Sequence, residues 1–238
     1  MNFYSKLVIA LGLVSGIAAG LLSLTYSATR PVIEARSVQE RENALSSVFF
    51  RHLQNEGGQP SFILRPVPLA DGVTALYHPD YPDQPAYYAA IGSAYGYNSS
   101  TPVVLTVGFT GPAGDAAGLL AGYVETDRLP AAGEKGRFIV GFSVVSSAET
   151  PGLGENIRNV RPPFTWAQFF TGNRPPPNPD RATSFQTQFR GRKAEDLLLR
   201  KKGGDLDAIT ASTITSGAVV AALQDASENL GKALHEKR

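Results

Sequence analysis

Two stretches of the sequence carry side chains suited to holding a ligand. The first is Ser147-Ala-Glu-Thr-Pro-Gly-Leu-Gly154, which follows an apolar run at 138–145. Pro151 stiffens a turn there, and Gly152 and Gly154 let backbone amides approach a ligand without side-chain obstruction. Glu149 and Thr150 add polar contacts, and Leu153 lies between the glycines. The plain alternative is an ordinary strand-to-loop turn. The second stretch is Asp205-Leu-Asp-Ala-Ile-Thr-Ala-Ser-Thr-Ile-Thr-Ser216. Thr210, Ser212, Thr213, Thr215 and Ser216 crowd hydroxyls just before the last helical pattern. Unpaired amides and the dipole at a helix N-terminus favour an anion such as a phosphate. Capping alone explains one hydroxyl, since Ser and Thr are preferred N-caps. The cluster exceeds that need.

Composition removes other chemistries. The 238 residues contain no cysteine, which excludes disulfide scaffolds, zinc ribbons, iron–sulfur clusters and thiol nucleophiles. The three histidines, His52, His78 and His235, are not spaced as metal ligands on one helix turn, so no metal centre is expected. Neither motif has a histidine nearby in sequence. A Ser or Thr hydrolase would need a base within hydrogen-bond reach, and that reading is set aside. The net charge of +1 gives no reason to expect a nucleic-acid partner.

The elements that must position these motifs begin with an apolar segment. Residues 7–29 hold no charged side chain, and about 20 apolar residues span a bilayer core. Gly12, Gly16 and Gly20 recur on one face, where small residues let helices approach closely in lipid. A signal peptide cleaved after Tyr26-Ser27-Ala28 is the rival reading. The run exceeds the usual signal core of about 7–15 residues, so a retained anchor is expected. Charge alone (Lys6 on one side; Arg30, Arg36 and Arg41 on the other) would put the large domain in the cytoplasm. Residues 31–56 continue as a helix that Gly57-Gly58 ends. Strands are expected at 61–64, 73–77, 87–93, 103–109 and 138–145, each bounded by Gly, Pro, Asn or Asp. A helix over 217–235 presents Val219, Ala222, Leu223, Ala226 and Leu230 on one face. The fold class is therefore α+β: an N-terminal transmembrane helix at 1–30, a helical connector at 31–59, and one mixed α/β domain over 60–238.

The two motifs together resemble the FMN-binding domain of the Rnf-complex G subunit and of the C subunit of sodium-pumping NADH:quinone reductase. In that family an ETPGLG turn lies near the flavin ring, and a downstream Asp-x-x-(Ser/Thr)-Gly-Ala-Thr run carries FMN as a phosphoester on its Thr. The turn is intact as Glu149-Thr-Pro-Gly-Leu-Gly154, and the second motif aligns through Asp207, Thr210 and Thr213. The flanks Gly96-Tyr97, Gln188-Phe189-Arg190-Gly191 and Gly203-Gly204-Asp205 agree as well. The resemblance implies covalent FMN on Thr213, with Ser212 and Thr215 beside it. It implies a membrane-anchored electron carrier among other subunits of an ion-translocating redox complex, with no catalytic residues of its own. A separate flavin transferase would make the bond and read Asp207, as a recognition residue or a base. The resemblance also places the domain on the extracytoplasmic side of a cell inner membrane, against the arginine count. The flanks favour Rnf-type membership over the quinone-reductase type.

Departures prompt a different class of reading. The family's Gly-Ala before the attachment Thr is Ala211-Ser212 here. Alanine at 211 is tolerable only with φ below zero, and the added Ser212 hydroxyl makes attachment at a neighbour conceivable. A flavin-free, membrane-tethered assembly module is the alternative function. Insertions at 111–136 and 164–183 are candidate docking surfaces. The basic residues Arg190, Arg192, Lys193, Arg200, Lys201 and Lys202 are expected on a solvated face. Trp166, Phe169, Phe170, Tyr95 and Tyr97 are expected in the core.

Overall fold

The computed structural model describes residues 3–56, 59–98, 100–149, 154–158 and 182–236. The chain divides into two compact units, Met1–Glu42 and Asn43–Arg238.

The first unit lies in helix α1, Phe3–Val48. Its segment Leu11–Arg30 is long and apolar enough to cross a membrane and is not buried against protein. Its hydroxyls bond back to their own helix: Thr25 Oγ1 donates to the Leu21 carbonyl at 2.8 Å and Ser27 Oγ to the Ser23 carbonyl at 2.8 Å. That arrangement hides polar groups that lipid could not satisfy.

The second unit opens with the end of α1. Val48, Phe49 and Phe50 are consecutive and all buried. Three successive residues point about 100° apart on a helix, so one face cannot bury them all, and the helix stops at Val48 instead of continuing to 56. A 3-10 turn at Phe50–His52 leads into strand β1, Leu53–Glu56, which pairs antiparallel with β2, Gln59–Phe62. Gly57 and Gly58, expected to end the helix, lie outside the described residues between the paired Glu56 and Gln59. The strand expected at 61–64 thus starts and ends earlier.

The main sheet is a five-stranded antiparallel meander: β3 Arg65–Ala70, β4 Val73–Tyr77, β5 Tyr87–Ala94, β6 Val103–Thr110 and β7 Ile139–Ser146. Strands β4 to β7 fall where the sequence puts them. Strand β3 is additional. It carries Pro66 and Pro68, and it lies at the sheet edge, where a missing N–H breaks no ladder.

Both sheet faces are covered, so β5 is buried on both sides. Tyr88 and Ala90 belong to one core, Tyr87 and Ala89 to the other. The first core is closed by the long C-terminal helix, Thr213–His235, through Val219, Ala222, Leu223, Ala226 and Leu230. Each buried Leu or Val there contributes about 1.5–3 kcal/mol. A Cβ at Gly92 of β5 would collide with the Ala222 carbonyl, so glycine is what lets helix and sheet meet. Asp225 Oδ2 accepts from the Ser93 amide at 2.8 Å, and Asn229 Nδ2 donates to the Ile91 carbonyl at 3.1 Å, fixing the helix along that strand.

The second core holds Val48, Phe49 and Phe50 together with α2, Ala116–Leu120. Part of the 111–136 insertion, expected as a docking surface, therefore covers the sheet: Ala113, Leu119, Leu120 and Tyr123 are buried in it. Of the 164–183 insertion only Ala182 and Thr183 are described. Thr183 caps the short α3, Ser184–Thr187, in a capping box with Gln186.

Candidate functional site

The C-terminal helix, α4 (Thr213–His235), begins four residues before the expected 217. Ser212 is its N-cap, and Thr213, Thr215 and Ser216 lie in its first turn. The loop before it is tied by Ser216: its Oγ accepts from the Ile209 amide at 3.0 Å and donates to the Ser212 carbonyl at 2.9 Å. Ser216 therefore holds the loop and is fully buried. Ala211 adopts φ +62°, the one positive φ outside glycine among the described residues. The condition of negative φ is not met: alanine occupies the left-handed conformation natural to glycine. Such strain costs about 1–3 kcal/mol and persists where surroundings enforce it.

The two motifs meet at Glu149. Thr215 Oγ1 donates to Glu149 Oε2 at 2.7 Å, and the Asn98 amide faces Oε1 at 3.5 Å. Glu149 is only 7% exposed. A Cβ at Gly96 would collide with its carboxylate, and one at Gly154 would sit 2.8 Å from both Glu149 Oε2 and Thr215 Oγ1. Gly96 and Gly154 are thus required by the close approach of this carboxylate and hydroxyl, beyond any ligand.

Thr213 is half-buried, and its Oγ1 accepts from Lys201 Nζ at 3.2 Å. Lys201 comes from the 3-10 turn Arg200–Lys202, which Gly203 closes at φ +89°. The Ser212 side chain caps no amide; its residue is 5% exposed, and its Oγ has no hydrogen-bond partner among the described residues. Tyr97, Glu149, Gly154, Ala211, Ser212, Thr213, Ile214 and Thr215 line a cleft of about 520 Å³, within the usual size of small-molecule sites.

Of the residues expected in the site, Glu149, Gly154, Ser212, Thr213 and Thr215 come together in this cleft. Thr150, Pro151, Gly152 and Leu153 lie outside the described residues. Thr210 and Asp207 are exposed and do not line it. Asp207 instead pairs with Arg200 at 2.9 Å on the surface. Its backbone is clamped by Gln188, whose Oε1 accepts from the Asp207 amide at 2.8 Å and whose Nε2 donates to its carbonyl at 2.9 Å.

The basic residues are not one solvated face. Arg190 is 5% exposed, donates to the Tyr123 carbonyl at 3.3 Å and lies over the Phe50 ring. Arg192 grips Asp205 at 2.7 and 2.9 Å and holds its carboxyl below the usual range. Lys193 pairs with Glu134. Tyr95 and Tyr97 are exposed and not core, and Tyr97 reaches the cleft. Trp166, Phe169 and Phe170 lie outside the described residues. Sequence reasoning missed Lys201 and Tyr97 as site residues. The only signal was their position next to the Gly203-Gly204 and Gly96 flanks.

Residues 131–228 match the family of the FMN-binding domain. The chain is also 26% identical over 232 residues, 93% of its length and 92% of the relative's, to the G subunit of the ion-translocating oxidoreductase complex of Methanosarcina acetivorans. The family resemblance drawn from the two motifs is therefore shown, with Glu149 and Thr213 both inside the matched residues and the likeness to a G subunit running along nearly the whole chain.

Proposed function

We propose that the chain is a membrane-anchored electron-transfer subunit that carries FMN as a phosphoester on Thr213, within an Rnf-type ion-translocating oxidoreductase complex. The observation that carries this reading is the position of Thr213. Its hydroxyl lines the cleft at the first residue of α4, beside a lysine ammonium and a buried serine hydroxyl that has no hydrogen-bond partner among the described residues. Those are the groups that a phosphate needs: a nucleophilic oxygen, a cation, a hydrogen-bond donor and free helix amides. FMN, when bound, links two-electron donors to one-electron carriers.

The chain's own residues bind and orient. Thr213 Oγ1 is the attachment atom. Glu149 and Thr215 fix the wall of the cleft through their hydrogen bond. Tyr97 and Ile214, 71% and 60% exposed, offer apolar surface to a planar ring at the mouth. Asp207 acts as a recognition residue for a flavin transferase, a reading supported by its exposure and by its pairing with Arg200 outside the cleft.

Residues 1–30 serve as the anchor, and the domain stands on the extracytoplasmic side of the membrane. The domain proper takes in the second half of the 31–59 connector, since the compact unit begins at Asn43. The likeness to a G subunit along 93% of the chain supports Rnf-type membership over the quinone-reductase type.

Intact mass after co-expression with a flavin transferase tests the reading. An FMN adduct that survives denaturation is expected. Its absence from wild-type protein would sink the carrier reading and leave the flavin-free assembly module.

A further inference from the structure

We propose that Lys201 and Ser212 are the side-chain seat of the FMN phosphate, Lys201 as its counter-cation and Ser212 Oγ as its buried hydrogen-bond donor. The inference rests on the proposed site at Thr213 and names the residues of this chain that hold the charge there.

Among the described residues two lysines of this loop, Lys201 and Lys202, are in no ion pair, and Lys201 is the one bonded to the cleft residue Thr213. Arg192 is paired with Asp205, Lys193 with Glu134 and Arg200 with Asp207. Lys201 forms no ion pair among the described residues, and its Nζ instead donates to Thr213 Oγ1 at 3.2 Å. An ammonium held against a neutral hydroxyl in this way is matched in charge once that oxygen carries a phosphate. A phosphate esterified to both the flavin's ribityl chain and Thr213 keeps one ionised oxygen, so a single lysine balances it.

Ser212 supplies the independent observation. An N-cap serine normally turns its hydroxyl onto an amide of the first turn. This one does not, although it stands at the N-cap and is buried. A buried hydroxyl without a partner costs stability, and a phosphate oxygen in the adjoining cleft is the acceptor it lacks. Because Ser212 caps nothing, the first amides of α4 are also left for the same anion: the first intrahelical bond into the cap runs from the Ser216 amide to the Ser212 carbonyl. Alanine, which the resemblance implies at this position, could not make the hydroxyl contact.

The test is carried out on the full-length chain in detergent, produced without a flavin transferase, by titrating FMN and riboflavin separately and following flavin fluorescence. The two ligands differ only in the phosphate. Wild-type protein is expected to prefer FMN by about tenfold, with the preference shrinking as salt is added. Lys201→Met should bring the FMN-to-riboflavin ratio down towards unity with riboflavin affinity unchanged, Lys201→Arg should keep most of it, and Ser212→Ala should lower it by a smaller factor of about two to five. Wild-type protein that binds FMN no better than riboflavin, or a ratio unmoved by both Lys201→Met and Ser212→Ala, overturns the proposal. The outcome is separate from that of the ester: Thr213→Val should keep the preference for FMN in this titration while losing every covalent adduct.

Discussion

Thr215 Oγ1 and Glu149 Oε2 lie 2.7 Å apart although 66 residues separate them in the chain. That hydrogen bond joins the two motifs, one after β7 and one in the first turn of α4, and it is buried. Its Glu149 end sits against two glycines that leave no room for a larger residue.

Removing the donor should therefore cost more than a surface hydroxyl would. Thr215→Val keeps the shape but leaves a buried carboxylate short of its strongest partner. The expected loss is about 1.5–3 kcal/mol, the range for hydrogen bonds to charged groups. Urea unfolding of the detergent-solubilised chain measures it. Glu149→Gln, which keeps an acceptor for Thr215, should cost less. Equal, negligible effects from both would show that the bond does not hold the motifs together.

Ala211 gives a prediction of opposite sign. Its φ of +62° is unfavourable for any residue with a Cβ. Ala211→Gly relieves that strain and adds back part of the cost as unfolded-state entropy, for a net gain of about 0.5–1 kcal/mol. The same unfolding measurement applies, and Ala211→Val should destabilise. A glycine variant less stable than wild type would mean that the loop is not left-handed at this position.

His52 sets a pH dependence. Tyr87 Oη donates to the Leu119 carbonyl at 2.9 Å, so His52 Nε2 is the donor in its 3.0 Å contact with Tyr87 Oη. Burial first, then the neighbouring His78 and Arg51, lower its pKa to about 4. The unfolded chain, with a pKa near 6.5, takes up a proton before the folded chain does. Stability from this group is thus complete above about pH 6.5 and falls as the pH drops towards 4. The ring is partly exposed, so the loss is on the order of 1–2 kcal/mol after screening. The difference in stability between wild type and His52→Phe should shift by that amount between pH 7 and pH 4. A difference that stays flat over this range would show that His52 titrates normally.

The parts of this fold visible in the sequence are those where local pattern and tertiary environment agree. Strands β4 to β7 are short apolar runs with clear turn residues at their ends, and they pair in order. Strand β3 was hidden because Pro66 and Pro68 argue against a strand unless it is known to be an edge. The end of α1 was misplaced because helical spacing carries on past Val48, and only the burial of Phe49 and Phe50 on the sheet shows that the chain must turn. The start of α4 was placed late because Thr and Ser are weak helix formers, and their tertiary bonds decide the matter: Thr215 to Glu149, Ser216 to the Ile209 amide. At the site, the acceptor position and its carboxylate lie in contiguous motifs and could be named. Lys201 could not, because its approach to Thr213 depends on the Gln188 and Arg192 contacts that fold the intervening loop back. Arg190 reads in sequence as one more surface cation, and only the fold buries it over Phe50.

The attachment atom is the sharpest test. A phosphoester needs a hydroxyl, and Thr213→Val removes it while keeping nearly the same shape at a half-buried position. The only described hydrogen bond lost is the one from Lys201, which is exposed, so the fold should persist within about 0.5 kcal/mol. Two neighbouring hydroxyls could in principle replace it. Thr215 is committed to Glu149 and buried, which argues against it. Ser212 has no partner among the described residues but is also buried, at 5% exposure, where a transferase would not reach it. Thr213→Val is therefore expected to abolish in-gel flavin fluorescence after co-expression with a transferase, whereas Ser212→Ala and Thr215→Val retain it. Asp207→Ala should lower labelling several-fold and leave the domain folded, because Asp207 is 72% exposed and its backbone is held by Gln188 independently of its carboxylate. Peptide mapping that finds the FMN mass on Ser212 would move the attachment by one residue. Labelling of Thr213→Val at the wild-type level, with the mass on neither Ser212 nor Thr215, would remove the first turn of α4 from the chemistry altogether.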